Sequence, residues 1–487
     1  MLNQARWLHV AFWTAFAVLC TLLLLTRFSH LGHRSLWADE IAPARIASVP
    51  AGDMTATLKT INQPVPPGFG AALRPAYWLA GDGEAALRTP VAMAGVLLAL
   101  VLALGLARRQ PYTGLLAGAL IAVSPVLVAY SRELKQYIFG ALTTALLLVL
   151  LPAAREKKRA LYMLGAVGAI GCWLDYGAAL PTAAVLLVLL VDAVRKRRDD
   201  VKHVLASGAL CAASFALLFV FFLLEQTRLA GLYTYHHEAM ARAPWSALAG
   251  FFVFITQWNG WPLLAVVAGI GVVRWLRREN GLTAAFALVS LALAVVVNSL
   301  KLYPFYGRLS LWAAPLFWMA VAAGWTWPLA EPQVKVWIKV ALAAMLVTVV
   351  AAGAYPALNG TVAHPELQEL EELRPVVQQL AKLSEEQPLE TVWVYRGARW
   401  AWQWYSDKTP VHADQVIIDS RNDHSLAHLD EQFASLTDGS LWLIFSHYRN
   451  DCGPIVQHLL DRGGQARAKI ERTGAQALLV EFSAPSP

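Results

Sequence analysis

The sequence predicts a polytopic α-helical membrane protein that carries a small α/β domain after its last membrane span. Three observations predict it. Hydrophobic residues make up 57% of the chain and charged residues only 15%, whereas soluble domains carry about 25% charged residues. Mean hydropathy is +0.47, and the apolar residues run in stretches close to the ~20 residues needed to cross a bilayer as a helix. Beyond Tyr355-Pro356 the composition turns to that of a soluble domain. The chain therefore divides into a membrane module, 1–355, and an outer domain, 356–487.

The spans read roughly as 7–26, 90–107, 112–129, 137–152, 161–174, 177–194, 204–224, 259–273, 282–299, 309–328 and 335–355, about eleven in all. Phe251–Thr256 is too short to span and reads as re-entrant or interfacial. A pI near 9.2 would suit a nucleic-acid partner, but the position of the basic residues argues against one. Arg108-Arg109, Arg155–Arg159, Arg195–Arg198 with Lys202, and Arg274–Arg278 all fall on one side of the predicted spans, which the positive-inside rule makes cytoplasmic. The other side receives Arg27–Arg88, Tyr130–Gln136, Asp175-Tyr176, Glu225–Trp245 and Lys301–Arg308. An odd number of spans then puts the C-terminal domain outside. The first span resembles a signal peptide, but Arg27-Phe28-Ser29-His30 offers no small-residue cleavage pattern, so it is expected to be retained. Cys20, Cys172 and Cys211 fall inside apolar spans and only Cys452 in a water-facing region, which leaves no disulfide framework.

In the outer domain, Leu367, Leu370, Leu373, Val377 and Leu380 repeat at helical spacing and predict an amphipathic helix over Glu366–Leu383. Thr391–Tyr395, Gln415–Ile418, Leu441–Phe445 and Leu478–Phe482 read as strands. The aromatic stretch Trp400–Tyr405 fits stacking on a sugar, resting on lipid headgroups, or packing the domain's own core.

Unusual chemistry collects on the outer face. Asp39-Glu40 follows the first span directly. Acids at a bilayer boundary are costly unless solvated or paired, which makes them functional candidates, although an acidic pair at a helix start also complements the helix dipole. Adjacent helical residues point ~100° apart, so one carboxylate can face a cavity while the other binds a neighbouring loop or a cation. The loop 27–89 is too long for a simple connection, and its Leu73–Leu79 stretch suits a helix lying in the interface. Tyr130-Ser131-Arg132-Glu133-Leu134-Lys135-Gln136-Tyr137 reads either as an interface-anchored turn or as a phosphate clamp. Lys301-Leu302-Tyr303-Pro304-Phe305-Tyr306-Gly307-Arg308 puts two cations and two phenols where the positive-inside rule would not place cations, which favours ligand contact. His236-His237-Glu238 offers metal-ligand side chains, but neighbours in sequence rarely converge on one ion. Asp175-Tyr176 reads as a short turn.

Taken together, these motifs resemble a known family. Ser35-Leu36-Trp37-Ala38-Asp39-Glu40 is similar to the first-loop signature of the GT-C polyprenyl-phosphate-sugar glycosyltransferases, most closely bacterial glycosyltransferase family 39, which is related to the protein O-mannosyltransferases and the lipid A aminoarabinose transferase. Pro66-Pro67, Ala86-Leu87-Arg88-Thr89-Pro90, Ser124-Pro125, Tyr130-Ser131-Arg132-Glu133 with Tyr137, and Tyr303-Pro304-Phe305-Tyr306-Gly307-Arg308-Leu309 resemble its later motifs, in order and on one side. One position departs: Val65 stands where many relatives have His before the paired prolines. The resemblance spans about residues 1–355.

The resemblance implies a GT-C fold and transfer of a sugar from a polyprenyl-phosphate donor to an acceptor hydroxyl, with inversion at the anomeric carbon. The acceptor would be a glycan, a lipid or a protein, and the setting the outer face of a bacterial inner membrane. It implies Asp39 as the base and Glu40 as a positioning or cation-binding group. Arg132, Lys301, Tyr303 and Arg308 would hold the donor phosphate, and Trp37 and Tyr137 would touch sugar or acceptor. A divalent cation (Mg, Mn or Zn) is the one cofactor it admits, with Glu40, His236 and His237 as candidate ligands. Two other classes compete: a transporter or lipid flippase with an accessory domain, and a glycan ligase or polymerase using a diphosphate-linked donor. A transporter should place ionisable or helix-breaking residues at mid-span, and the predicted spans here are nearly free of charge.

Overall fold

The computed structural model of the chain describes all residues except 1, 61–62, 108, 197–199, 229–239, 241–242, 278–280, 363–370, 420–426, 434–437, 449–451 and 483–487. The residues group into two compact units: Met1–Leu31 with Ile46–Glu366, and Gly32–Arg45 with Leu367–Pro487. The segment that carries Asp39 and Glu40 thus groups with the C-terminal residues.

The first unit is helical. It runs through α1 (Leu2–Phe28), the last residues of α2 (Ala38–Ser48), α3 (Met54–Thr60), α4 (Pro67–Ala80), α5 (Glu84–Gly105), α6 (Pro111–Val123) and α7 (Pro125–Ser131). It continues with α8 (Tyr137–Ala154), α9 (Lys158–Leu174), α10 (Ala179–Arg195), α11 (Val201–Leu218) and α12 (Leu224–Arg228). Then come α13 (Pro244–Thr256), α14 (Trp261–Arg277), α15 (Gly281–Ser299), α16 (Ala314–Ala330) and α17 (Val336–Leu358). Among the described residues, eight helices are long and apolar enough to cross a membrane, or ten if each of two bent pairs is one span. The expected span at 161–174 corresponds to α9, which has 17 residues.

The bent pairs have local causes. α6 and α7 meet at 67°, where Pro125 has no N–H to give the Ile121 carbonyl. Arg27, at the end of α1, supplies donors there: Nη2 to Ile121 O at 2.7 Å and Nη1 to Ala122 O at 3.1 Å. A carbonyl left without a donor in the apolar layer costs several kcal/mol, which accounts for a fully buried arginine at this point. α13 and α14 meet at 100°, and Gln257, with φ of 50°, ends the first of them. Phe251–Thr256 therefore lies in a helix that turns sharply into its successor, in keeping with the re-entrant expectation. α14 and α16 cross at two glycines. A Cβ on Gly271 would stand 2.0 Å from Ala320 O, and one on Gly324 2.0 Å from Val267 O, the close approach that small residues permit between membrane helices.

The second unit is an α/β domain. It contains α18 (Leu373–Glu386), β1 (Leu389–Val394), α19 (Arg399–Ser406), β2 (Ala413–Ile418), α20 (Ala427–Gln432), β3 (Gly439–Ser446), α21 (Cys452–Asp461), β4 (Gln465–Arg472) and β5 (Ala475–Phe482). The sheet order is β2-β1-β3-β5-β4. β1 runs parallel to β2 and β3, and β5 antiparallel to β3 and β4. Trp393, Phe433, Leu443, Phe445 and Val480 lie in its buried core. All four expected strands are present. β4 was not expected, because Gln465–Arg472 buries only Ile470 and shows no apolar alternation; as an edge strand it is specified by pairing with β5 alone. α18 begins at Leu373 rather than Glu366; Leu373, Val377 and Leu380 are buried as expected, and Leu367 and Leu370 fall outside the described residues.

Candidate active site

Asp39 and Glu40 stand in the first turn of α2, within the second unit. A helix start leaves backbone N–H groups without intrahelical partners, and here acidic side chains and a phenol take up those at the start and in the residues just before it. Glu40 Oε2 reaches back to Trp37 N at 3.4 Å, the returning half of a capping box. Glu371 Oε2 accepts from Ala38 N at 3.2 Å. Glu372 Oε2 accepts from Ser35 N at 3.2 Å and from Ser35 Oγ at 3.0 Å. The Tyr405 hydroxyl accepts from Leu36 N at 2.6 Å, and Arg374 Nη2 donates to His33 O at 2.9 Å. Every residue from Ser35 to Ala38 is therefore fixed through its backbone.

The two acids differ in setting. Glu40 is fully buried and turned onto the backbone, while Asp39 is partly buried. Trp37 is buried, with its ring 6.4 Å from that of His447, and His447 Nδ1 lies 2.5 Å from Glu371 Oε1. The Trp400–Tyr405 stretch resolves into two roles. Trp402, Trp404 and Tyr405 are buried, while the Trp400 ring carries the Arg45 and Arg399 guanidinium groups at 4.8 and 4.5 Å.

The remaining expected residues belong to the helical unit. Arg132 donates from Nε to Thr26 O at 2.9 Å, and from Nη2 to Ser29 Oγ at 2.9 Å and Ala357 O at 2.6 Å. It joins the ends of α1, α7 and α17. Tyr137 packs edge-on against buried Tyr130, ring centroids 5.7 Å apart, and the Arg308 guanidinium lies 5.7 Å from the Tyr137 ring. Tyr303 donates its hydroxyl to Leu309 O at 3.0 Å, and burial holds its phenol well above the usual range, so it stays a donor. Lys301 is exposed on a left-handed backbone, φ 57°.

Next to this group lies Asp175, whose Oδ1 accepts from Gly177 N at 3.2 Å and caps the short turn Tyr176–Ala178. The turn was expected; the burial of its acid was not. Burial pushes the Asp175 carboxyl up to about 7. A Cβ on Gly140 would stand 1.8 Å from Asp175 Oδ2, and one on Gly177 2.7 Å from the Tyr303 hydroxyl, so both glycines make room for the two polar groups. Tyr176 donates to Gln226 Oε1 at 2.8 Å, and Gln226 Nε2 donates to Val65 O at 3.0 Å. Val65 thus serves through its carbonyl, and its side chain is buried.

Among the described residues no three His, Cys, Asp or Glu side chains converge as metal ligands, and Glu40 is committed to a backbone N–H. His236 and His237 lie outside the described residues. Sequence reasoning missed Glu371, Glu372, Asp175 and Gln226. The first two fall within the stretch whose spacing predicts an amphipathic helix, and nothing local in the sequence marks carboxylates whose partners lie more than 300 positions away.

The dolichyl-phosphate-mannose-protein mannosyltransferase family model matches residues 64–221. No curated protein sequence matches the chain. Among solved structures, ArnT from Cupriavidus metallidurans bound to undecaprenyl phosphate is similar, with TM-score 0.60 and 14% identity over 97% of this chain and 99% of that one. The oligosaccharyltransferase AglB from Archaeoglobus fulgidus, in complex with an inhibitory peptide and a dolichol-phosphate, gives TM-score 0.53 and 12% identity over 89% of this chain and 69% of that one. A complex of the Archaeoglobus fulgidus oligosaccharyltransferase with Zn and sulfate gives TM-score 0.53 and 13% identity over 88% of this chain and 67% of that one. The chain is thus a membrane protein with the GT-C glycosyltransferase fold, similar over residues 64–221 to the dolichyl-phosphate-mannose-protein mannosyltransferase family.

Proposed function

We propose that the protein transfers a sugar from a polyprenyl-phosphate donor to an acceptor hydroxyl at the outer face of a bacterial inner membrane, with Asp39 as the base. The observation that carries this reading is the asymmetry of the acidic pair: Glu40 is fully buried and holds the start of α2, while Asp39 is only partly buried on a backbone fixed from Ser35 to Ala38. That the similar ArnT structure holds undecaprenyl phosphate and the similar AglB structure a dolichol-phosphate supports a lipid-phosphate donor.

In this reaction the acceptor oxygen forms a bond to the anomeric carbon from the face opposite the phosphate. The bond between that carbon and the phosphate oxygen breaks with inversion, and Asp39 takes the hydroxyl proton. The leaving polyprenyl phosphate needs positive charge and N–H or O–H donors rather than a strong acid. Arg308 and Lys301 are the groups we assign to it, with Tyr303 joining them only by releasing the O–H it gives to Leu309 O. Arg132 holds helix ends and Trp37 packs inside its own unit, so both serve the site by positioning. The similar structure that holds Zn and sulfate motivates a divalent cation; among the described residues no three side chains form a seat for one, and the roles assigned here are those of protein groups.

The test is incubation of the purified protein with a panel of polyprenyl-phosphate sugars, scoring release of polyprenyl phosphate. Acceptor-dependent release from at least one monophosphate donor is expected. Release only from diphosphate-linked donors would overturn this reading in favour of a ligase or polymerase.

A further inference from the structure

Glu371 is buried, and each of its carboxylate oxygens has a partner within the second unit. Oε2 accepts from Ala38 N at 3.2 Å, and Oε1 lies 2.5 Å from His447 Nδ1. A carboxylate only accepts, so the imidazole carries a proton on Nδ1 and donates it there. The last torsion of a glutamate side chain is broad and roughly two-fold, so a single bond to Ala38 N would leave the carboxylate plane loosely set. The bond from His447 to the other oxygen sets it. The backbone beside it is tied too, since Glu372 N donates to Thr473 O at 2.9 Å.

His447 is the first residue beyond β3 and stands on left-handed backbone, φ 55°, a region that His, Asn and Gly enter more readily than most residues. The turn after β1 passes close to it: a Cβ on Gly397 would stand 2.7 Å from His447 O and 3.0 Å from Ser446 O. The imidazole also lies 6.4 Å from the Trp37 ring, so it meets the acidic motif both through Glu371 and through an aromatic neighbour. The pair His458–Asp430, at 2.9 Å, is of another kind: its acid is exposed and shared with Arg462, and it joins α21 to α20. We propose that His447 is a positioning residue for the acidic motif: by holding Glu371 Oε1 it keeps Oε2 on the Ala38 N–H, and so fixes the helix start that carries Asp39. Its consequence for turnover rests on the reading of Asp39 as the base; its consequence for the backbone of α2 does not.

Two readouts on the full-length protein in detergent test it: hydrogen exchange of the Ala38 amide, and sugar transfer as a function of donor concentration. His447→Gly removes the imidazole without straining the left-handed backbone, and His447→Asn restores an N–H near the position of Nδ1 on a residue that also tolerates it. In His447→Gly, Ala38 exchange should rise and the maximal rate fall by about fivefold each, the scale of one loosened charge-assisted hydrogen bond, with the donor concentration for half-maximal rate unchanged. His447→Asn should stay within about twofold of wild type in both. His458→Asn, in the other pair, should change neither. Wild-type exchange in His447→Gly, no recovery in His447→Asn, or an equal rise in His458→Asn would each overturn the proposal, as would faster exchange in His447→Gly with wild-type turnover. Should the wild type release no polyprenyl phosphate from any donor, the proposed reaction fails, and the exchange measurement still decides whether His447 holds the start of α2.

Discussion

Arginine does two jobs in the helical unit, and the sequence shows the residue type without showing which. Arg27 and Arg132 spend their donors on carbonyls and a hydroxyl at helix ends, whereas Arg308 lies over the Tyr137 ring in the late motif. Arg308→Ala should therefore raise the donor concentration needed for half-maximal rate by about tenfold or more, the scale of a lost charge-assisted hydrogen bond, with little change in melting temperature. Arg132→Ala should instead lower the melting temperature in detergent, since Thr26 O and Ala357 O lose their donor. Donor titrations and melting curves on the two variants check this; the reverse pattern would exchange their roles. That both cations fall in connections on one predicted side was legible from the order of the spans. Which one is a tie was not, because the carbonyls that bind Arg132 lie 106 and 225 positions away.

At the scale of elements, the start of α2 is the feature on which the site depends. The N–H of its first residue, Ala38, is met by Glu371, and those of Ser35 and Leu36 just before it by Glu372 and Tyr405, so that domain holds the acidic motif in place. Glu371→Ala with Glu372→Ala should reduce sugar transfer by at least tenfold while the α/β domain stays folded, because Ala38 and Ser35 lose charged acceptors worth ~1.5–3 kcal/mol each. Wild-type turnover in a folded double variant would show that α2 needs no such support. The helix start itself was legible, since an acidic pair suits the first turn of a helix. The acids that complete it were not, because carboxylates placed by tertiary contact leave no periodic signal. β4 was missed for a related reason: a strand exposed on both faces has no alternation to read, and only its pairing with Ala475–Phe482 specifies it.

For the whole molecule, the membrane module was legible because span length and charge sidedness are bulk properties that survive local error. The count is where local geometry intervened, since two bent pairs and a 17-residue helix separate eight long helices from the eleven expected stretches. Orientation remains part of the proposal and has its own measurement. A cysteine at the exposed Glu385 should react with an impermeant maleimide in intact cells, and one at the exposed Glu156 only after permeabilisation; labelling of Glu156→Cys from outside would invert the assignment. The central claim is that Asp39 accepts the proton of the attacking hydroxyl while Glu40 holds the helix that carries it. The most direct measurement is turnover of polyprenyl-phosphate sugar by folded Asp39→Asn enzyme beside Glu40→Gln. The account predicts a loss of about 10²–10⁴-fold for Asp39→Asn, with donor lipid still bound, and a smaller loss for Glu40→Gln, whose amide oxygen can still accept from Trp37 N. Near-full sugar transfer by Asp39→Asn would contradict it.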